Sequence, residues 1–166
     1  MKYHLVIVIL LISFSCNNIQ QEDNKAFEGY SHKDLSLSIR KFLKSEFNLE
    51  ILNQGGRQII FFVPVSGCTP CIEISLKTLD SLKDDFINVN GILVSRYRKD
   101  FIGYDNYLSS DKYFVSSEGQ HMNFNLNIGS PMVLFFDDKS INKILSIDEA
   151  NYKSVIAKVE SYLQKD

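Results

Sequence analysis

The chain has 166 residues, 45% of them hydrophobic, and 18 lysines and arginines stand against 20 aspartates and glutamates for a formal charge of -2. That length suits one domain with a continuous core and is short for two. Charges of both signs are mixed along the chain, with no basic block to track a phosphate backbone, so nucleic acid is excluded as an expected partner.

Lys2 precedes an unbroken apolar run, Leu5 to Ile12, that falls well short of the roughly 20 residues a helix needs to cross a bilayer. We therefore expect residues 1–15 to be a signal peptide. Its end, Ser13, Phe14 and Ser15, leads directly into Cys16, and this junction resembles the bacterial lipobox, in which the cysteine after the cut is acylated. The resemblance implies export and a lipid anchor on Cys16, facing the periplasm or the cell exterior; plain secretion with Cys16 as an odd thiol is the alternative. NNIQQEDNK, Asn17 to Lys25, has almost nothing apolar to bury, so residues 16–30 read as a tether and residues 31–166 as the folded domain. With Cys16 lipidated, the remaining cysteines are one pair, Cys68 and Cys71, in a compartment that permits disulfides.

SHKD, Ser31 to Asp34, reads as a capping box, and Leu35, Ile39, Phe42, Leu43 and Phe47 follow at helical spacing. Gly55 and Gly56 break the chain before RQIIFFV, Arg57 to Val63, which is apolar on both faces as a strand inside a sheet must be. Pro64 should end that strand. From Pro70 the period changes: Ile72, Leu76, Leu79, Leu82 and Phe86 predict a helix with proline in its permissive first turn. VNGILVS, Val89 to Ser95, predicts a second strand. The stretch from Arg96 to Asn127 is the least patterned; Phe101, Tyr104 and Leu108 suggest a helix that Gly103 interrupts, KYFV, Lys112 to Val115, suggests a short strand, and the tyrosines there read as packing residues. MVLFF, Met132 to Phe136, a turn at Asp137 to Ser140, and Ile141 to Ile147 predict a hairpin. SIDE, Ser146 to Glu149, reads as a second capping box before the apolar stripe Tyr152, Val155, Ile156, Val159 and Leu163.

FFVPVSGCTPC, Phe61 to Cys71, puts C-x-x-C where the first strand hands over to its helix. Together with the βαβ unit, the hairpin and the closing helix, this resembles the thioredoxin-like superfamily over roughly Gln58 to Leu163. IGSPMVLFFD, Ile128 to Asp137, resembles that family's cis-proline segment and is a second anchor. The signal peptide and the FNLNIGSP approach are most similar to membrane-tethered extracytoplasmic thiol-disulfide oxidoreductases of bacteria. The resemblance implies an α/β fold, a central mixed β-sheet flanked by helices with an added N-terminal helix. It implies catalytic Cys68 and Cys71, an active-site loop shaped by Thr69 and Pro70, and substrate binding at Ser130 and a cis Pro131. It also implies exchange with protein thiols or disulfides, no cofactor, and a membrane-bound electron donor if the protein runs as a reductase.

The residues themselves point the same way. A cysteine just ahead of a helix faces unpaired backbone N–H groups and the positive end of the helix dipole, which favour thiolate. Cys68 is the expected nucleophile and Cys71, one turn on and shielded, the resolving thiol. Other readings stand beside this one. A permanently oxidised disulfide on a surface lipoprotein binding module is the alternative, although so small a ring removes little unfolded-state entropy. Zinc would need His121, His32 or carboxylates to complete four ligands, and no metal is expected. Peroxiredoxin chemistry is disfavoured by Val65 and Phe61, where that family has Thr or Ser and Pro. The chain also departs from its relatives. Gly67 replaces a tryptophan, Phe62 stands where many have a buried acid, and Glu73 reads as an exposed first-turn carboxylate.

Overall fold

The computed structural model describes residues 32–47, 56–108, 113–126, 128–138 and 140–164. The expected signal peptide, Cys16, the tether and the cap at Ser31 lie outside them. Helix α1 spans His32–Phe47, strand β1 Arg57–Pro64, helix α2 Thr69–Asp85 and strand β2 Val89–Val94. A 3-10 turn at Arg98–Phe101 and the one-turn helix α3, Asp105–Leu108, lead to strand β3, Tyr113–Ser116. After a second 3-10 turn, Gln120–Phe124, come strand β4, Met132–Asp137, strand β5, Ser140–Ser146, and helix α4, Tyr152–Leu163.

The five strands form one sheet in the order β3-β2-β1-β4-β5. β1 runs parallel to β2, and β2 to β3, while β4 is antiparallel to both β1 and β5. This is the expected mixed sheet, and its central strand explains the doubly apolar sequence of β1. Alternate residues enter opposite layers: Ile59, Phe61 and Val63 pack with Ile72, Leu76 and Leu79 of α2 and Val155 and Val159 of α4, whereas Ile60 and Phe62 pack with Leu35, Ile39, Phe42 and Leu43 of α1. Full burial of each such side chain stabilises by about 1.5–3 kcal/mol, so neither layer is optional. In the α1 layer the Phe42 ring meets Phe47, Phe62 and Phe124 edge-on, with centroids 5.7, 5.7 and 5.8 Å away.

Three expectations change in detail. Among its described residues the unpatterned middle holds no long helix: Gly103, at φ 94°, separates the 3-10 turn from α3, so Phe101 and Tyr104 reach the core from turns. The short strand spans Tyr113–Ser116, one residue past the expected end at Val115, and Lys112 lies outside the described residues. No capping box opens α4. Ser146 still belongs to β5, and the helix starts six residues later after a reciprocal turn. In that turn the Asp148 carboxylate accepts the Ala150 and Asn151 N–H groups at 2.9 and 2.8 Å, and the Asn151 side-chain oxygen accepts the Asp148 N–H at 3.0 Å. An Asx turn out-competes the capping box because Asp148 can satisfy two amides at once.

Candidate active site

β1 ends at Pro64, and the next residue, Val65, still donates its N–H to Val94 at 3.0 Å, so the loops leaving β1 and β2 start side by side at one end of the sheet. The Gly67 N–H turns back to the Pro64 carbonyl at 3.2 Å. Cys68 then takes the extended N-cap conformation, φ -64° and ψ 108°, and its carbonyl accepts the first helical bond from Ile72 at 2.9 Å. Proline in the first turn costs the helix nothing, since those amides have no carbonyl behind them. Cys68, Thr69 and Pro70 are exposed. Cys71, inside the first turn, is only 7% exposed.

The two cysteines form a disulfide, with α-carbons 5.3 Å apart. One sulfur therefore belongs to a solvent-facing residue at the mouth of the helix and the other to a buried one. Beneath them the fully buried Ser75 donates its hydroxyl to the Cys71 carbonyl at 2.7 Å. This contact ties Cys71 to the next turn of α2; a serine one turn after the second cysteine was its only sequence signal.

The Ile128 to Pro131 segment lies against this loop. A β-carbon on Gly67 would stand 2.5 Å from the Gly129 carbonyl oxygen and 3.3 Å from that of Pro64. This contact accounts for glycine, and no larger residue, directly before Cys68. Ser130 is exposed and Pro131 buried, and the Pro131 carbonyl accepts the Ile147 N–H at 2.8 Å, fixing the start of β4 to the end of β5. The expected cis bond is not found. Among the described residues every peptide bond is trans, Ser130 to Pro131 included. Trans is the isomer an isolated X-Pro bond prefers by about 0.5–1 kcal/mol, and the Gly67 and Ile147 contacts form with it in place.

Ionisable groups around the site are sparse. Among the described residues no carboxylate is buried, and Phe62 occupies the opposite layer, fully buried. Glu73 is an exposed carboxylate 3.6 Å from Lys77, as its position in the first turn suggested. Of the tyrosines, Tyr107 and Tyr113 do pack edge-on at 5.3 Å, and Tyr113 donates to Asp80 at 2.7 Å; burial, then the Asp80 carboxylate, pushes the Tyr113 phenol well up. Tyr97 differs from them, being 51% exposed. His121 is not at the surface. It is buried in the second 3-10 turn with Nδ1 lacking a hydrogen-bond partner, and burial lowers its pKa.

No protein-family profile and no curated sequence matches the chain. Solved structures do. A structure assigned as the thiol:disulfide interchange protein DsbE of Chlorobium tepidum superposes with a TM-score of 0.50 at 13% identity, over 66% of this chain and 81% of that one. The fold is thioredoxin-like. A structure assigned as a protein disulfide isomerase of Bacteroides thetaiotaomicron aligns at 12% identity over 65% of this thioredoxin-like chain and 75% of its own, with a TM-score of 0.47. The thioredoxin domain of a thiol-disulfide oxidoreductase of Bacteroides vulgatus aligns at 19% identity over 66% and 81%, with a TM-score of 0.43. In the thioredoxin-like frame, Cys68 and Cys71 occupy the junction of the central strand and its helix, and Ser130 and Pro131 precede the antiparallel strand beside it. Among the described residues no helix is long and apolar enough to cross a membrane.

Proposed function

We propose that this protein is an exported, lipid-anchored thiol-disulfide oxidoreductase in which Cys68 attacks and Cys71 resolves. One observation carries the reading: an exposed cysteine caps a helix while bonded to a buried cysteine in the first turn of that helix. A staple with only a structural role gains nothing from a solvent-facing end, and a ring this small stabilises weakly. Exchange needs that asymmetry, because one sulfur must meet a client and the other must wait.

In the reducing direction, the Cys68 thiolate attacks one sulfur of a client disulfide; a bond forms between Cys68 and the client, and the client's other sulfur leaves as thiolate. Cys71 then attacks the Cys68 sulfur, closing the internal disulfide and releasing the second client thiolate. Two electrons pass to the client. The Cys71 proton passes to the released thiolate through water, in keeping with the lack of a buried carboxylate among the described residues. A dithiol donor at the membrane resets the pair, and the reverse sequence oxidises clients. Ser130, exposed beside Gly67 and the cysteine loop, supplies backbone groups to align an extended client, and Pro131 places it there. Thr69 and Pro70 shape the ring. Acylation of Cys16 with the tether of residues 16–30 holds the domain at the membrane surface.

The deciding experiment is redox titration of the purified domain against glutathione or dithiothreitol buffers. A reversible two-electron transition between roughly -120 and -270 mV, the span of exchange proteins, is expected. A pair that stays oxidised well below that span would sink the proposal in favour of a binding module.

A further inference from the structure

The end of the sheet that carries Cys68 also carries a basic, aromatic turn. RYRK, Arg96 to Lys99, leaves β2 one strand spacing, about 5 Å, from the base of the cysteine loop, since Val65 bonds directly to Val94. All four residues are exposed. Three cations in four positions stand out in a chain whose net charge is -2. The Arg96 guanidinium and the Lys99 ammonium each lie 5.5 Å from the centre of the Tyr97 ring, which keeps a 51% exposed aromatic between two positive charges.

The turn is built, not slack. Ser95, 1% exposed, accepts the Tyr97 N–H at 3.1 Å and donates its hydroxyl to the Asp100 carboxylate. The Asp100 N–H returns to the Tyr97 carbonyl at 3.1 Å, and the Ile102 N–H to the Lys99 carbonyl at 3.2 Å. Asp100, the nearest acid in sequence, is thus engaged inward. Beside the turn a cleft of about 600 Å³ opens between the 3-10 turn, α3 and the edge strand β3, with Arg98 in its lining. Ile102, 80% exposed, Leu108 and Val115, 39% exposed, give it apolar walls, and among the described residues Asp105 is the one carboxylate lining it. A pocket of this size takes a large side chain with room to spare.

We propose that the Arg96–Lys99 turn and the adjoining cleft are the surface that selects clients for the dithiol, by docking an acidic peptide segment that carries a large apolar side chain. The carboxylates meet Arg96, Arg98 and Lys99, and the apolar side chain enters the cleft beside Ile102. Tyr and Arg at the centre of the patch are the residue types that most often carry binding energy. This assignment rests on the exchange reading of Cys68 and Cys71, but it makes a separate demand: charge selectivity in the client.

The test uses the reduced domain with three disulfide peptides that share a leucine and differ in flanking glutamate, glutamine or lysine, and with hydroxyethyl disulfide as a chargeless small substrate. A cysteine-free glutamate peptide carrying a fluorophore reads docking alone by anisotropy. The glutamate peptide should react roughly tenfold faster than the lysine peptide at low salt, the size expected for two exposed charge pairs, with the gap closing at high ionic strength. The Arg96→Glu, Lys99→Glu double variant should invert that order while leaving hydroxyethyl disulfide turnover unchanged, and Ile102→Asp should weaken binding of the fluorescent peptide severalfold. Equal rates for the three peptides with normal hydroxyethyl disulfide turnover would overturn the docking surface and leave the exchange reading intact. If no disulfide reacted yet the fluorescent peptide still bound wild type and not the double variant, docking would hold and exchange would fall. Binding of an oligonucleotide as tightly as the peptide would overturn the peptide assignment.

Discussion

Gly129 and Gly67 touch backbone to would-be side chain: the carbonyl oxygen of the first occupies the space a β-carbon on the second would need, at 2.5 Å. No flexible side chain can yield there, because the obstacle is main chain. Through this contact the Ile128 to Pro131 segment and the cysteine loop hold each other in place.

Gly67→Ala should therefore cost about 1–3 kcal/mol, the usual size of an overpacking penalty, and should slow exchange by displacing the loop ahead of Cys68. Gly129→Ala is the matched control, since a β-carbon there meets nothing within 4 Å. It should change stability by no more than about 0.5 kcal/mol. Urea unfolding of both variants checks this, and equal losses would show that the contact does not constrain the loop.

How far the sequence revealed this arrangement depended on whether the signal was local. The strands and their hairpin were legible because β1 is apolar on both faces and because the turn at Asp138 separates two apolar runs. The cysteine junction was legible for a similar reason, with a strand pattern, C-x-x-C and a helical period in unbroken succession. The Gly67 to Gly129 contact joins residues 62 apart in the chain, and nothing near either glycine announces it. Among the described residues from Arg96 to Leu126 the chain uses 3-10 turns, a four-residue helix and a four-residue strand, too short to show a period. That stretch hid both the exposure of Tyr97 and the burial of His121. The cis expectation at Pro131 came from resemblance alone, and the trans bond corrects it.

Gln58 is fully buried in β1, and neither atom of its side-chain amide has a hydrogen-bond partner. Leaving a buried donor or acceptor unpaired costs about 1–3 kcal/mol, so Gln58→Met, similar in volume and free of that cost, should stabilise the domain by about 1 kcal/mol. The measurement is the urea midpoint, which should rise at constant m-value. A lower midpoint would mean that the amide has a partner in solution.

His121 gives the domain a pH dependence with a definite sign. Burial lowers its folded pKa below the ordinary 6.5, so between the two values the unfolded chain binds a proton that the folded chain refuses. Its stability contribution is present above about pH 6.5 and is lost as pH falls through that value toward the folded pKa. Wild type should lose more stability between pH 7.5 and pH 5.5 than His121→Met, in which that proton has no site. Parallel unfolding curves for the two proteins at both pH values would contradict the assignment.

Cys16 follows the Ser13 to Ser15 segment that ends the apolar run and precedes a stretch with almost nothing apolar to bury. The mature protein should carry diacylglycerol on Cys16 by intact mass, and Cys16→Ser should leave the membrane fraction almost entirely. Wild-type protein that begins at Cys16 with no added mass would rule out the anchor.

Under the proposed exchange reading, the unequal exposure of the two cysteines gives them separate tasks. Cys68 is exposed at the N-cap of α2, where the helix end stabilises a thiolate, whereas Cys71 is 7% exposed within the first turn. After mild reduction, iodoacetamide near neutral pH should modify Cys68 roughly ten times faster than Cys71, since reaction requires both thiolate and access. In Cys71→Ser the mixed disulfide between Cys68 and a client has no internal thiol to resolve it, so client adducts that dithiothreitol releases should accumulate on non-reducing gels. Cys68→Ser should trap severalfold fewer, because the sulfur that remains is the buried one. If both single variants trapped clients equally, burial would not be what divides the labour, and the order of attack proposed here would have to be reversed or abandoned.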